Sequence, residues 1–315
     1  MPRWKVLVSA PYAMPVIARY REQLGAAGCE VLVPAVRERL EEAELLPLVG
    51  DVDGIICGDD CITGRVLDAA PRLRVISKWG TGIDSIDTAA ADRRGVIVCN
   101  TPNAFSEPVA DSTIGYMLLF ARRLDRLTED MHAGTWNKPQ LTSLGERTVG
   151  VIGVGNCGRA VVRRAAAFGM RILGNDTRQI PEDVIRTSEL SPVPLNQLLA
   201  ESDFVTLHPD LNPTSFHLMD RARLARMKRT AFLINTSRGP VVDEPALIAA
   251  LRAGNLAGAA LDVFEDEPLP VASPLREFPN VYLAPHTANS SPAAAERVHT
   301  NTIRNLLQVL SAATK

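Results

Sequence analysis

Short apolar runs rich in valine and isoleucine recur along this chain, and longer amphipathic segments separate them. This alternation is typical of βαβ units, whose parallel strands are buried on both faces of a sheet. One set of runs ends near residue 100, and a second begins at residue 148. A length of 315 residues fits two domains. We therefore predict an α/β protein with two Rossmann-like or flavodoxin-like parallel-sheet domains and a cleft between them.

The predicted strands of the first set are "KVLVSA", "EVLVP", "GIICG", "LRVISKW" and "VIVCN". Those of the second set are "TVGVIG", "MRILGND", "DFVTLH", "TAFLINT", "AGAALDVF" and "VYLAPH". Helical patterns lie between them, as at Ile17 to Ala27. A long apolar pattern from Glu107 to Arg126 predicts one helix that bridges the two sets. The final segment, Pro292 to Ser311, is helical with no strand after it, and we expect it to return to the first domain.

Composition excludes several classes of protein. A formal charge of -2 argues against a general nucleic-acid or acidic-membrane surface. The sequence has no run of about 18 apolar residues and no signal-peptide core, so we expect a cytoplasmic protein. The five cysteines lack a paired CxxC arrangement, and the five histidines lack ligand spacing, so no disulfide framework and no metal site is predicted. The basic stretch from Arg221 to Arg229 is interpreted as a solvated helix face.

A glycine-rich turn follows the first strand of the second set. Gly153, Gly155 and Gly158 form a G-x-G-x-x-G pattern between an apolar strand and a helix. Such a turn lets a pyrophosphate approach the backbone at a helix N-terminus. Asp176, after the next strand, would accept hydrogen bonds from the ribose hydroxyls and repel a 2′-phosphate. NAD is therefore favoured over NADP, although Arg178 could neutralise Asp176 or face a phosphate.

Three functional side chains follow the last strands of the second set. "FLINTSRG" ends in Arg238, "AALDVFEDEP" in a cluster of acids, and "VYLAPH" in His286. Arginine matches a carboxylate bidentately, and histidine exchanges protons near neutral pH. A paired carboxylate would hold the histidine and favour its protonated form. Together these residues suit an anionic carbonyl substrate, although each has a structural explanation when taken alone.

The chain resembles the D-isomer-specific 2-hydroxyacid dehydrogenases. The blocks "KWGTGIDSID", "GVIVCNTPNAFSEPVAD", "VGVIGVGNCGR", "MKRTAFLINTSRGPVVDEPALIAAL" and "GAALDVFEDEPLP...NVYLAPHTA" follow in family order, over roughly residues 50 to 290. The resemblance implies an NAD-dependent oxidoreductase that transfers a hydride between the nicotinamide and C2 of a small D-2-hydroxyacid or 2-oxoacid. We also expect a homodimer, and Trp136, in a weakly patterned stretch, either packs on the partner subunit or is locally buried.

The resemblance implies a role for each matching residue. Arg238 would bind the substrate carboxylate, His286 would be the general acid/base, and Glu267 would pair with His286. Asp262 would hydrogen-bond the nicotinamide carboxamide, and Thr236 would line that ring. The implied cofactor-binding residues are Gly153, Gly155, Asn156, Cys157, Gly158, Asp176, His208, Thr236 and Asp262. The implied substrate-binding residues are Lys78, Thr81, Gly82 and Arg238. The remaining acids of the cluster, Glu265 and Asp266, are interpreted as solvated turn residues.

The implied domains are a substrate domain, residues 1–102 with 288–315, and an NAD-binding Rossmann domain, residues 103–287. Two positions raise questions. Asp210 stands where relatives commonly have proline, which puts the cofactor loop after His208 in doubt. Lys78 could meet a second anionic group of the substrate or be a solvated lysine at the rim. Two other functions stay open, an NAD-sensing corepressor-like protein and a phosphite-type dehydrogenase.

Overall fold

A computed structural model describes residues 3–313, which fall into two compact units. Unit 1 runs up to Ala104 and resumes at Ser291, and unit 2 spans Phe105–Ser290. Each unit is built on one parallel sheet, of five strands in unit 1 and seven in unit 2. The predicted α/β class with two parallel-sheet domains is thus confirmed.

In unit 1 the strand order is β2-β1-β3-β4-β5, the flavodoxin-like arrangement, and every pairing is parallel. The strands are β1 Trp4–Val8, β2 Cys29–Leu32, β3 Gly54–Cys57, β4 Val75–Lys78 and β5 Ile97–Cys99. The helices are α1 Arg21–Ala26, α2 Glu42–Leu45, α3 Gly64–Asp68 and α4 Thr88–Arg93, and a 3-10 segment Met14–Tyr20 precedes α1. The helix expected from Ile17 is therefore split between a 3-10 and an α-helical part.

The last helix, Pro292–Ala312, belongs to unit 1 as expected; it is α12 in chain order. Ser291 caps it by accepting the Ala294 N–H. The Ser77 hydroxyl of β4 donates to the Thr302 carbonyl at 2.8 Å. Leu306 lies so close to Gly54 of β3 that a β-carbon there would come within 2.8 Å of it. The helix therefore covers the sheet at a point where glycine allows close approach.

In unit 2 the strand order is β12-β11-β10-β9-β6-β7-β8, again all parallel. Counted from β6, this is the Rossmann order extended by one strand, and the switch point lies between β6 and β9. The strands are β6 Thr148–Ile152, β7 Arg171–Asn175, β8 Ser191–Pro192, β9 Phe204–Leu207, β10 Phe232–Asn235, β11 Gly258–Leu261 and β12 Val281–Leu283. Strands β6, β9 and β11 are buried at every position, which explains their unbroken apolar sequence.

The helices of unit 2 are α5 Ser106–Arg122, α6 Leu124–His132, α7 Asn156–Ala167, α8 Glu182–Ser188, α9 Leu195–Glu201, α10 Arg221–Leu224 and α11 Glu244–Arg252. The prediction of one helix from Glu107 to Arg126 is wrong, because Arg123 adopts a left-handed conformation with φ of 47° and separates α5 from α6. The basic stretch from Arg221 forms only one short helix. Trp136 is 74% exposed, so the locally buried alternative is also wrong. Within residues 3–313 no helix is long and apolar enough to cross a membrane.

Candidate active site

The glycine-rich turn lies at the switch point of the unit 2 sheet, where β6 ends beside β9. Gly153 has a φ of 85°, a conformation that side-chain-bearing residues rarely adopt. A β-carbon at Gly153 would also come within 2.7 Å of the backbone at His208 and Pro209. Glycine is thus required here both by conformation and by the closeness of the loop after β9. Ligands of such sheets bind beyond the carboxyl ends of the strands, at this point of the topology.

The start of α7 can receive an anion. Gly155 is its N-cap and offers no side-chain acceptor, and the first intrahelical bond runs from the Arg159 N–H to the Gly155 carbonyl at 2.9 Å. The amides of Asn156, Cys157 and Gly158 precede that bond. A β-carbon at Gly155 would meet nothing within 4 Å, whereas one at Gly158 would overlap the Gly153 carbonyl. The turn is therefore closely packed at Gly158 and open at Gly155, as close approach by a pyrophosphate requires.

Asp176 follows β7 on the same edge of the sheet. Its Oδ2 accepts the Val154 N–H at 2.7 Å, and its Oδ1 accepts the Arg178 N–H at 2.8 Å. Each carboxylate oxygen has a second lone pair. Asp176 is thus fixed against the glycine turn and can still accept hydrogen bonds from ribose hydroxyls. The residues of the turn fit a dinucleotide.

The loop after β9 is ordered by its own polar groups. His208 Nε2 lies 2.9 Å from the Thr206 hydroxyl, and burial lowers the pKa of His208 to about 4. The Asp210 carbonyl accepts hydrogen bonds from the Ser215 hydroxyl at 2.6 Å and from the Asn212 side chain at 3.1 Å. The loop therefore turns at Asp210 and is closed by these two hydrogen bonds to its backbone carbonyl; the effect of an aspartate in place of proline on the cofactor loop stays a prediction.

Arg238 is presented by a turn that Asn235 organises. Asn235 is 1% exposed; it donates to the Arg238 carbonyl at 2.8 Å and accepts from both the N–H and the hydroxyl of Ser237. The Arg238 Nη1 donates to the Ser237 carbonyl at 2.9 Å. Thr236, also buried, has its hydroxyl 3.3 Å from that of Thr113. Asn235 was not identified from the sequence, although an asparagine at the end of a strand is a known turn signal.

His286 and Glu267, nineteen positions apart, are brought together. The Nδ1 of His286 lies 2.8 Å from Glu267 Oε2. The other carboxylate oxygen, Oε1, accepts the Phe264 N–H at 3.0 Å. Both side chains are about one quarter exposed, at 25% and 26%. An ionised carboxylate has no hydrogen to donate, so with Glu267 ionised the donor in this hydrogen bond is Nδ1.

Asp262 makes contacts that the sequence did not predict. It is 1% exposed, and its two oxygens accept the N–H groups of Thr287 and Ala288 at 2.8 and 2.9 Å. Its carbonyl accepts the His286 N–H at 2.8 Å. Burial raises the pKa of Asp262, and the two backbone donors oppose that rise. His286 itself has a φ of 52°. Asp262 therefore holds the strained turn that presents His286, while its contact with a nicotinamide stays a prediction.

In unit 1, the last residue of β4 and the segment after it carry the other predicted residues. The Thr81 hydroxyl donates to the Thr101 carbonyl at 2.9 Å. Within residues 3–313, neither the Thr81 nor the Gly82 amide donates a hydrogen bond to the protein. Lys78 is 3% exposed, and its Nζ lies 2.7 Å from Asp59 Oδ1. The interpretation of Lys78 as a solvated rim lysine is wrong, because its charge is buried and paired.

Glu265 also differs from its prediction. It is not a solvated turn residue, because its side chain is 29% exposed and Oε1 lies 2.8 Å from His217 Nε2. Asp266 is exposed, as predicted. In the described part of the chain, no group of three or more histidine, cysteine, aspartate or glutamate side chains could hold a metal ion.

Known proteins resemble the chain over its whole length. Residues 114–288 match the family model "D-isomer specific 2-hydroxyacid dehydrogenase, NAD binding domain". The glyoxylate reductase of Thermofilum pendens is 40% identical over 98% of this chain and 92% of its own. The D-3-phosphoglycerate dehydrogenase of Methanocaldococcus jannaschii is 37% identical over 97% of this chain and 57% of its own. The solved D-lactate dehydrogenase of Aquifex aeolicus, complexed with NAD and lactic acid, superposes with a TM-score of 0.87 at 27% identity, covering 98% of this chain and 95% of that one.

The match of a family model to more than half of the chain agrees with the glycine turn at the switch point and with the strand-end residues described above. The cofactor of this protein is NAD, which the glycine-rich turn and Asp176 fit. The relatives are named as reductases and dehydrogenases, so neither a corepressor nor a phosphite dehydrogenase is favoured. The chain belongs to the D-isomer-specific 2-hydroxyacid dehydrogenases, NAD-dependent oxidoreductases that transfer a hydride between the nicotinamide and C2 of a small 2-hydroxyacid or 2-oxoacid.

Proposed function

We propose that this protein reduces a small, unphosphorylated 2-oxoacid such as glyoxylate, with His286 and Glu267 as its acid/base pair. The observation that carries the proposal is the 2.8 Å contact between His286 Nδ1 and Glu267 Oε2. Because Nδ1 is engaged by the carboxylate, proton exchange with the substrate is assigned to Nε2. In reduction, Nε2 gives its proton to the carbonyl oxygen at C2, and Glu267 stabilises the imidazolium before that transfer.

Bound NADH supplies the hydride that C2 receives. The cofactor is assigned to the residues of unit 2 that lie around the switch point, and Thr236 and Asp262 are assigned to the nicotinamide end. Support comes from the open face of Gly155 and from the amides at the start of α7. Unit 2 is accordingly proposed as the NAD-binding domain and unit 1 as the substrate domain.

Arg238 is proposed to bind the substrate carboxylate. Its guanidinium offers a planar pair of N–H donors, which fixes both the position and the orientation of a carboxylate. In unit 1, the Thr81 and Gly82 amides are proposed as further substrate-binding donors. Holding the carboxylate orients C2 for the hydride and its oxygen for the proton, and such orientation is a large part of catalysis.

The environment of Lys78 argues for a substrate without a second anionic group. The lysine charge is already balanced by Asp59 at 2.7 Å, and the side chain is buried. A phosphate would have to displace the Asp59 carboxylate, which already pairs with this buried charge. We therefore assign Lys78 to the support of the substrate loop rather than to a phosphate.

Oxidation of NADH with glyoxylate, hydroxypyruvate and 3-phosphohydroxypyruvate tests the proposal. We expect turnover with the first two and at least about tenfold lower kcat/KM with the phosphorylated acid. Replacement of His286 by alanine should lower kcat by about 10²- to 10⁴-fold, the usual contribution of a general acid. Full turnover of the His286→Ala variant, or a preference for the phosphorylated substrate, would refute the respective part.

We also propose a homodimer in the cytoplasm. Leu124, Met131 and Trp136 are 55%, 53% and 74% exposed on and just after α6, an amount of apolar surface that a partner subunit would cover. Replacement of Trp136 by aspartate should yield monomers in analytical ultracentrifugation. Val271, which is 92% exposed, offers a control, because Val271→Asp should leave the assembly intact.

All five cysteines carry free thiols, which suits a reducing compartment.

A further inference from the structure

We propose that His217 and Glu265 form a positioning pair that holds Glu267 in place for His286. The inference rests on the proposed role of the His286–Glu267 pair and extends it to two residues that contact neither substrate nor cofactor in that proposal. We call residues 264–267 the acid turn. Its outer side is defined by Glu265, which contacts His217, and its inner side by Glu267, which contacts His286.

The outer side of the acid turn is anchored at two points. Glu265 Oε1 lies 2.8 Å from His217 Nε2 and also accepts the Glu244 N–H at 3.2 Å. In return, Glu244 Oε2 accepts the Glu265 N–H at 3.4 Å. One carboxylate thus ties the acid turn both to the loop after β9 and to the start of α11.

His217 is itself held in a definite place. Its backbone has a φ of 47°, an uncommon conformation that surrounding contacts must maintain. Its N–H donates to the Pro240 carbonyl at 2.7 Å. The ring of Phe216 stacks on the imidazole with centroids 4.0 Å apart and planes 17° from parallel. His217 is therefore a fixed anchor and not a mobile surface side chain.

The segment after Arg238 packs against the same turn. Gly239 lies directly on the backbone of Phe264, and any β-carbon at Gly239 would overlap the Phe264 carbonyl. Because His217 bonds to Pro240 and to Glu265, it joins the Arg238 segment to the acid turn. Two residues with proposed roles in the reaction, Arg238 and Glu267, are thus connected through one histidine.

The inner side of the acid turn transmits this anchoring to His286. The Phe264 N–H donates to Glu267 Oε1 at 3.0 Å, and Glu267 Oε2 meets His286 Nδ1 at 2.8 Å. When Glu265 loses its anchors, the turn can shift and carry the Glu267 carboxylate away from Nδ1. A displacement of about 1 Å in a catalytic arrangement can cost on the order of 100-fold in rate.

A double-mutant cycle between Glu265 and Glu267 tests the pair. Glu265→Ala should lower kcat about tenfold with glyoxylate while KM for NADH changes less than about twofold, since the perturbation acts on the acid/base pair and not on the cofactor site. In the Glu267→Gln background, the same change should lower kcat less than about twofold, because its effect acts through Glu267. Equal losses in the two backgrounds would overturn the inference.

Three further variants separate positioning from folding. Glu265→Gln keeps an acceptor for His217 and should retain kcat within about threefold of the wild type, which also covers the case in which Glu265→Ala fails to fold. His217→Leu should reproduce the loss seen with Glu265→Ala, whereas Asp266→Ala, in the exposed neighbouring position, should have no effect. Failure of the proposed function would look different, because Glu267→Gln alone would then leave kcat unchanged.

Discussion

Replacement of Gly155 by alanine should raise the Kd for NADH by roughly 100-fold without lowering the stability of the fold. Gly155 has φ of −75° and ψ of −154°, which alanine tolerates, and its β-carbon would meet no protein atom within 4 Å. Such a change usually stabilises a protein by about 0.4–1 kcal/mol, because alanine restricts the unfolded chain. The added methyl group instead occupies the space through which a pyrophosphate approaches the amides of α7.

The expected loss of affinity follows from the hydrogen bonds at stake. Each hydrogen bond to a charged group contributes roughly 1.5–3 kcal/mol. If two bonds from the α7 amides to the pyrophosphate are lost, the cost is at least about 3 kcal/mol, or roughly 100-fold in Kd. Titration of NADH fluorescence gives the Kd, and thermal unfolding of the same samples gives the stability.

Gly158→Ala is the matched control, because its β-carbon would overlap the Gly153 carbonyl. That backbone cannot yield without opening the turn, so we expect a lower Tm together with weak binding. The two glycines should therefore differ in stability but not in the loss of NADH binding. An unchanged Kd in Gly155→Ala would refute the placement of the pyrophosphate at this turn.

Three other predictions concern single residues of the site. Asp176→Asn keeps an acceptor for the Val154 N–H but removes the charge, so the ratio of kcat/KM for NADPH to that for NADH should rise about tenfold, and an unchanged ratio contradicts the ribose assignment. The pKa of His208 is lowered from 6.5 to about 4 in the folded protein. Between these two pH values the unfolded chain therefore binds more protons at this residue than the folded protein does. As the pH falls from 6.5 through 4, up to about 3 kcal/mol of stability is lost. Urea unfolding at several pH values should show a flatter dependence for His208→Gln, and parallel curves would exclude that residue as the source. Asp262→Asn places an amide N–H against the N–H of either Thr287 or the buried Ala288, which should lower the free energy of unfolding by about 1–3 kcal/mol and reduce kcat. Asp266→Asn, at an exposed position, should do neither.

The sequence predicted most strands because a parallel strand that is buried on both faces reads as an unbroken apolar run. Among the strands of residues 3–313, only β8, with two residues, was not predicted. The break at Arg123 could not be predicted, since "FARRLDR" contains neither glycine nor proline and its left-handed arginine is imposed by the surrounding structure.

The pairings were harder to predict than the elements. Arg238, Glu267 and His286 could be proposed as site residues because each follows a predicted strand and matches a family motif. By contrast, Lys78 pairs with Asp59, which is 19 positions away in the sequence, and His217 pairs with Glu265, which is 48 positions away. Local periodicity carries no information on such distant contacts, which is why a buried lysine and an anchored glutamate were both interpreted as solvated.

The return of α12 to unit 1 sets the order in which the chain can fold during its synthesis. The contact between Ser77 and Thr302 spans 225 residues, and α12 follows all the strands of both units in the chain. Unit 2, which is continuous in sequence, can complete its sheet before α12 has left the ribosome. Until α12 is available, the face of β3 and β4 that it covers stays exposed, although the strands of unit 1 precede those of unit 2. The strands of unit 1 are therefore translated before those of unit 2, yet unit 1 reaches its final structure later.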